Sequence, residues 1–232
     1  MMPKLIVALD FDNEHDALNL VEKLDPKSCA LKVGSELFTL LGTDFVSQLV
    51  KRQFKVFLDL KFHDIPNTVA KACKAGAELG VWMMNVHASG GMSMMQSARN
   101  AIDSYGASRP ILIAVTVLTS FNQIELTSVG INTPVIDHVN KLAILTKESG
   151  LDGVVCSAQE VQAIKNTCGQ QFITVTPGIR MPNNAKDDQS RVMTPKQAIE
   201  EGSDYLVVGR PITQAVNPEQ VVAEILKNIQ DN

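Results

Sequence analysis

Short apolar runs alternate with longer segments of helical period along the whole chain. The first run, Lys4–Asp10, is rich in Leu, Ile and Val, and the segment Glu14–Leu24 carries apolar residues at helical spacing. This pattern predicts a strand followed by a helix. The pattern recurs seven more times, and each pair below gives the predicted strand first and the predicted helix second. The pairs are Cys29–Val33 and Ser35–Arg52, Lys55–Leu60 and Asn67–Leu79, Trp82–His87 and Gly91–Tyr105, Ile111–Leu118 and Pro134–Ser149, Gly153–Cys156 and Ala158–Thr167, Phe172–Thr176 and a helix from about Thr194, and Tyr205–Val208 and Pro218–Ile229.

Eight strand–helix units predict an α/β fold with a parallel sheet, because apolar strands between helices must be covered on the outer face. In a chain of 232 residues, eight units favour closure into a single-domain (β/α)8 or TIM barrel spanning residues 1–232. We expect the second helix to break near Gly42. Two connections are long, Ser120–Thr133 and Gly178–Met193, and long loops in compact domains are commonly functional.

The amino-acid composition and net charge argue against nucleic acid and membranes as binding partners. Hydrophobic residues make up 45% of the chain, charged residues 20%, and the net charge is -4, so neither nucleic acid nor an anionic membrane is expected to bind. The start of the chain does not resemble a signal peptide, and no apolar run is long enough for a membrane helix, so we expect a cytoplasmic protein. The four cysteines lack C-x-x-C spacing and are interpreted as reduced core residues.

Charged residues stand where the predicted strands end. Asp10 follows the first strand, Lys32 lies near the end of the second, and Asp59, Lys61 and Asp64 follow one another at the end of the third. The carboxyl ends of barrel strands build active sites, so these residues can form a row of alternating charge. A solvated rim residue is the simpler interpretation of Asp10 alone, but several charges in an apolar setting are more typical of a functional site.

A separate signal suggests phosphate binding. Gly178 and Arg180 follow the seventh strand, and Gly209 and Arg210 follow the eighth. Glycine lets a backbone amide approach an oxyanion, and arginine adds a charged bidentate donor. His63 and His87 are interpreted as structural, and the sequence shows no metal-ligand spacing, so no metal is expected.

The run Asp59–Thr68 closely resembles the signature of the orotidine 5′-phosphate decarboxylases, which produce UMP. The resemblance covers essentially the whole chain. It extends to Ala8–Asp10, Lys32–Gly34, Val117–Ser120, Thr176–Arg180 and Val208–Arg210.

For catalysis, the resemblance implies that Lys61 donates a proton to C6 of the pyrimidine and that Lys32, Asp59 and Asp64 complete the charged array. It implies a homodimer with shared sites, in which Asp64, Ile65 and Thr68 reach the partner's site, and it implies no cofactor. The implied contacts with orotidine 5′-phosphate and UMP are Asp10 and Lys32 at the ribose, Thr119 or Ser120 at the pyrimidine edge, and Gln189, Gly209 and Arg210 at the phosphate, with Arg180 nearby and a lid at Gly178–Arg191.

Two alternatives remain open. Sister barrels, the Mg²⁺-dependent 3-keto-gulonate 6-phosphate decarboxylases and hexulose-phosphate synthases, resemble the Asp-x-Lys-x-x-Asp pattern but carry an acidic metal ligand where this chain has Lys32. A non-catalytic nucleotide-binding barrel would keep the phosphate site and has no need for four alternating charges.

Overall fold

Eight parallel strands close into a barrel in which β1 pairs with both β2 and β8. The computed structural model describes residues 3–180 and 193–230. The predicted (β/α)8 fold is therefore confirmed. The strands are β1 (Leu5–Ala8), β2 (Ala30–Gly34), β3 (Val56–Phe62), β4 (Met83–His87), β5 (Ile111–Val115), β6 (Gly153–Val155), β7 (Ile173–Thr176) and β8 (Tyr205–Val208).

Helices follow the strands and cover the barrel. They are α1 (Glu14–Val21), α2 (Ser35–Lys51), α3 (Pro66–Glu78), α4 (Gly91–Asp103), α5 (Gln123–Ser128), α6 (Val135–Glu148), α7 (Val161–Cys168), α8 (Pro195–Glu200), α9 (Arg210–Thr213) and α10 (Pro218–Gln230). The expected break in α2 is present, since Gly42 has a φ of 67° and a non-helical ψ of -157°. The short helices α5 and α9 were not predicted from the sequence.

Apolar residues form two cores because successive strand residues point to opposite faces of the sheet. On β4, Met83 belongs to the inner cluster with Ile6, Phe57 and Ile113, whereas Met84 belongs to the larger cluster between barrel and helices. The inner cluster fills the barrel, so the carboxyl ends of the strands surround a closed floor rather than a pore.

The amino-terminal end of the barrel is held by two carboxylates that precede strands. Asp152 accepts bonds from Arg109 Nη1 and Nη2, both at 2.7 Å, and from the Leu112 amide at 2.8 Å. Asp204 accepts from Lys165 Nζ at 2.7 Å and from the Thr174 amide at 2.8 Å. Both clusters lie at the end of the barrel opposite the predicted site, where residues serve stability rather than catalysis.

All four cysteines are free and buried, which confirms their interpretation as core residues. Burial raises the pKa of the Cys29 and Cys73 thiols to about 12, so their reactive thiolate forms are disfavoured. In the part of the chain that the structure describes, no helix is long and apolar enough to cross a membrane.

Candidate functional site

A chain of ion pairs joins the ends of β1, β2 and β3. Lys32 Nζ lies 3.1 Å from Asp10 Oδ1 and 3.4 Å from Asp59 Oδ2, and Lys61 Nζ lies 2.8 Å from Asp59 Oδ1. Lys32 and Asp59 are buried, whereas the Asp10 side chain is more than half exposed. The structure thus brings together four of the five charged residues that were expected to form a row at the ends of the first three strands.

Lys32 is held in its charged form. Burial favours the neutral amine, but the charges of Asp59 and Asp10 and their hydrogen bonds outweigh it, so the pKa of Lys32 is raised. The protonated ammonium keeps both carboxylates aligned and compensates their negative charge. The close packing extends to Gly34, where an added Cβ would lie 3.1 Å from Lys32 Nζ.

The backbone that presents Lys61 is not a regular strand. Pairing between β3 and β4 shifts register between Leu58 and Phe62, and Lys61 has a φ of 53°, in the left-handed region. Buried Asn85 on β4 accepts a bond from the Lys61 amide at 2.8 Å and donates to Asp59 Oδ1 at 2.7 Å. The sequence reasoning missed Asn85, although its uncharged polar side chain stands out in an apolar strand.

These side chains open into a cavity of about 320 Å³. Its lining combines the ion-pair chain with Thr119 and Ser120 after β5 and with apolar side chains of the barrel floor. The apolar contributors include Phe57, Val115 and Val155. A cavity with apolar walls and a few convergent polar groups suits a small molecule.

The predicted phosphate residues lie on another side of the same cavity. Gly178, Arg180, Gly209 and Arg210 all line it. An added Cβ at Gly209 would lie 3.3 Å from Asp10 Oδ2, so a larger residue would press on the ion-pair chain. Gln189 and most of the predicted lid, residues 181–191, lie outside the described residues.

The two ends of the long connection Gly178–Met193 are joined by backbone bonds. The Arg180 amide donates to the Met193 carbonyl at 3.0 Å, and the Met193 amide donates to the Gly178 carbonyl at 3.4 Å. Gly178 has a φ of 80°, which a residue with a side chain rarely adopts. This junction fixes the backbone of Arg180, which follows β7 and lines the cavity.

Asp64, Ile65 and Thr68 are not brought into this cavity. All three are exposed, and Asp64 Oδ1 accepts only from the Ile65 amide, at 2.6 Å, among the contacts of the described chain. The Ile65 side chain is 66% exposed. The structure therefore does not place these three residues in the cavity of their own chain.

His63 and His87 pack against one another, with ring centroids 5.5 Å apart. Burial lowers the pKa of His87, and nearby His63 and Lys61 lower it further. A neutral His87 imidazole suits a packing role. Among the described residues, no cluster of His, Cys, Asp and Glu has the arrangement of a metal site, and the two carboxylates in the cavity, Asp10 and Asp59, both bond Lys32.

Comparison with known proteins agrees with this geometry. A protein of Legionella pneumophila (strain Corby) named orotidine 5′-phosphate decarboxylase is 69% identical over 229 residues, covering 99% of this chain and all of that protein. One of Vibrio vulnificus (strain YJ016) with the same name is 61% identical over 222 residues, covering 96% of each.

Solved structures agree as well. The crystal structure of orotidine 5′-phosphate decarboxylase from Lactobacillus acidophilus matches with a TM-score of 0.89 at 42% identity, covering 99% of this chain and 100% of that one. An uncharacterized conserved protein from Geobacillus kaustophilus matches with a TM-score of 0.87 at 40% identity, covering 97% and 100%. Residues 3–225 match the family model described as "Orotidine 5'-phosphate decarboxylase / HUMPS family", and the chain belongs to this family.

Proposed function

We propose that this chain, as one catalytic domain over residues 1–232, converts orotidine 5′-phosphate to UMP and CO2 without a cofactor, as a step of pyrimidine biosynthesis. The observation that carries the proposal is the row of ion pairs that runs from buried Lys32 through buried Asp59 to half-buried Lys61 at the wall of the cavity. The names of relatives at 61–69% identity support the same substrate.

The chemistry requires a charge to be stabilised at one carbon. When the bond between C6 and the carboxylate breaks, CO2 leaves and the electron pair remains on C6 as a carbanion. The ring cannot easily delocalise this pair, so a fixed positive charge must stabilise it. The Lys61 ammonium supplies that charge and then transfers a proton to C6. Asp59, 2.8 Å from Lys61 Nζ, keeps the ammonium aimed through a charge-assisted contact.

The rest of the cavity offers a place for each part of the nucleotide. Asp10 and Lys32 are assigned to the ribose hydroxyls, and Thr119 or Ser120 to the pyrimidine edge. Arg210, Gly209 and Gln189 are assigned to the phosphate, with Arg180 nearby. Binding energy from the phosphate, remote from C6, drives closure of a lid between Gly178 and Arg191 and so contributes to the rate.

The active unit is a homodimer with shared sites. Asp64, Ile65 and Thr68 are exposed on the described chain, and in the dimer they complete the partner's site. Asp64 then supplies a further carboxylate close to Lys61 of the neighbouring subunit. The predicted cytoplasmic location accords with a step of nucleotide synthesis.

A Mg²⁺-dependent sister activity is the second candidate, since the family description joins the decarboxylase to a second group. Lys32 argues against it. Its ammonium lies between Asp10 and Asp59 at 3.1 and 3.4 Å, where it competes with a cation for both carboxylates. A non-catalytic nucleotide-binding barrel would have no use for this charged array, in which the desolvation of buried Lys32 and Asp59 is costly.

The deciding experiment follows the absorbance of orotidine 5′-phosphate with purified protein in excess EDTA. Rapid conversion to UMP is the expected result, and it would also exclude a required metal. If no conversion occurs and activity on a keto-sugar phosphate appears only when Mg²⁺ is added, the chain has the sister activity. UMP binding without turnover on either substrate would indicate the non-catalytic alternative.

A further inference from the structure

The backbone around Lys61 departs from regular strand geometry in a way that requires support. Leu58 pairs with Met84 and Phe62 with Val86, so β3 advances by four residues while β4 advances by two. Lys61 lies in this bulge with a φ of 53°. The left-handed region is unfavourable for a lysine, because its Cβ approaches the following carbonyl, and such a conformation persists only where neighbouring groups hold it.

Asn85 is the group that holds it. The residue lies on β4 between Met84 and Val86, opposite the bulge, and it is fully buried. A bulge removes residues from the regular ladder, and a buried amide left without a partner is costly. The Asn85 Oδ1 atom accepts the Lys61 amide at 2.8 Å and so satisfies it.

The other end of the same side chain acts on the ion pair. Asn85 Nδ2 donates to Asp59 Oδ1 at 2.7 Å, and this oxygen also lies 2.8 Å from Lys61 Nζ. One side-chain amide therefore fixes both the backbone of Lys61 and the carboxylate that directs its ammonium. Only a side chain with an acceptor and a donor at this separation makes both bonds.

We infer that Asn85 is a positioning residue for the proposed decarboxylation, on which this inference rests. It is not among the described residues that line the cavity, so it acts through Lys61 and Asp59 rather than on the nucleotide. Loss of the amide frees the bulge to relax and the ammonium to move. A displacement of about 1 Å at a reacting group can lower a rate by roughly 100-fold.

The test compares Asn85→Leu, which keeps approximate size but makes no hydrogen bond, with Val86→Ala as a matched control. Val86 is buried on the same strand and belongs to the outer core, so its truncation loosens β4 without touching Lys61. We expect kcat of Asn85→Leu to fall roughly 10- to 100-fold, while its Kd for UMP stays close to that of the native protein. Val86→Ala should keep a near-native kcat at a comparable loss of Tm.

Asn85→Ser provides a second variant that is smaller and easier to fold, and its hydroxyl is too short to make both bonds. Hydrogen exchange at the Lys61 amide should accelerate in both Asn85 variants and not in Val86→Ala. Either Asn85 variant with native kcat, or a loss of kcat no larger than that of Val86→Ala, would overturn the positioning role. A native protein without decarboxylase activity would instead overturn the proposed function, and this role with it.

Discussion

At the scale of single residues, substitution of Lys61 should affect catalysis most, because both stabilisation of the carbanion and protonation of C6 are assigned to it. Lys61→Ala should lower kcat by roughly 10,000-fold or more, since it removes a proton donor and a fixed charge together. UMP should still bind, because the phosphate contacts remain. Rate measurements and calorimetry with UMP check both statements.

The control for this variant is Lys55→Ala, which removes an exposed lysine just before β3, at the opposite end of the barrel. It should leave kcat and UMP affinity unchanged. Near-native turnover by Lys61→Ala would remove the residue from its assigned role.

Arg210 is predicted to act on binding through the phosphate. The residue lines the cavity at the start of α9, directly after Gly209. Arg210→Ala should weaken UMP binding by roughly 1.5–3 kcal/mol, the range for a hydrogen bond to a charged group. Affinity for uridine, which has no phosphate, should change little. Equal losses for UMP and uridine, or no loss for UMP, would contradict the assignment.

The positions of the strand ends were largely sufficient to predict which residues meet at the site. They did not predict the backbone geometry that supports those residues. Asp59 and Lys61 were expected to belong to one row of charges at the end of the third strand, and their side chains do meet. They meet through a bulge supported by Asn85. A bulge depends on the pairing of two strands distant in sequence, and the local pattern of one strand does not contain that information.

At the scale of elements, the eight strands and their main helices followed from periodicity, whereas α5 was missed. Its segment is short and mostly polar, with exposed Ile124 and a single buried residue, Leu126, so the apolar stripe of a helix is weak. The sequence nevertheless contains a signal for the start of a helix. Asn122 and Glu125 form a capping box, in which each side chain bonds the other residue's amide.

The hydrogen bonds and ion pairs of Asp152 at the amino-terminal end of the barrel should contribute measurably to the free energy of unfolding. Burial alone would raise the pKa of Asp152, but bonds from Arg109 and the Leu112 amide, with the charges of Arg109 and Arg99, hold it below its ordinary value. A lowered folded-state pKa stabilises the protein above the unfolded value of about 3.9, and this contribution is lost as pH falls through the folded value.

Asp152→Asn should therefore lower the free energy of unfolding by about 1–3 kcal/mol at neutral pH. The difference from the native protein should shrink as the pH falls below about 4, because protonation removes the same charge from the native side chain. Urea titrations at neutral and acidic pH measure this difference. Asp44→Asn, at an exposed position of α2, should show little change at either pH. A deficit independent of pH would refute the electrostatic explanation.

At the scale of the whole molecule, closure of the barrel brings residues from β1, β2, β3, β5, β6 and β8, and from the segment after β7, to one cavity. Length and the count of units were sufficient to predict this closure. The described chain leaves Asp64 at the surface, away from Lys61's cavity. The proposed role of Asp64 in the site of a neighbouring subunit therefore requires that two chains form a dimer. The structure of one chain does not show such a dimer.

Subunit mixing tests that proposal directly. Lys61→Ala and Asp64→Ala homodimers should each be nearly inactive. In a mixed dimer, one site combines native Lys61 with native Asp64 from the other subunit, while the second site carries both substitutions. Random reassortment of equal amounts of the two variants should therefore restore about a quarter of native activity, because half of the dimers are mixed and each has one intact site. If Asp64 instead serves its own subunit, no pairing yields an intact site, and the mixture should stay as inactive as its parents.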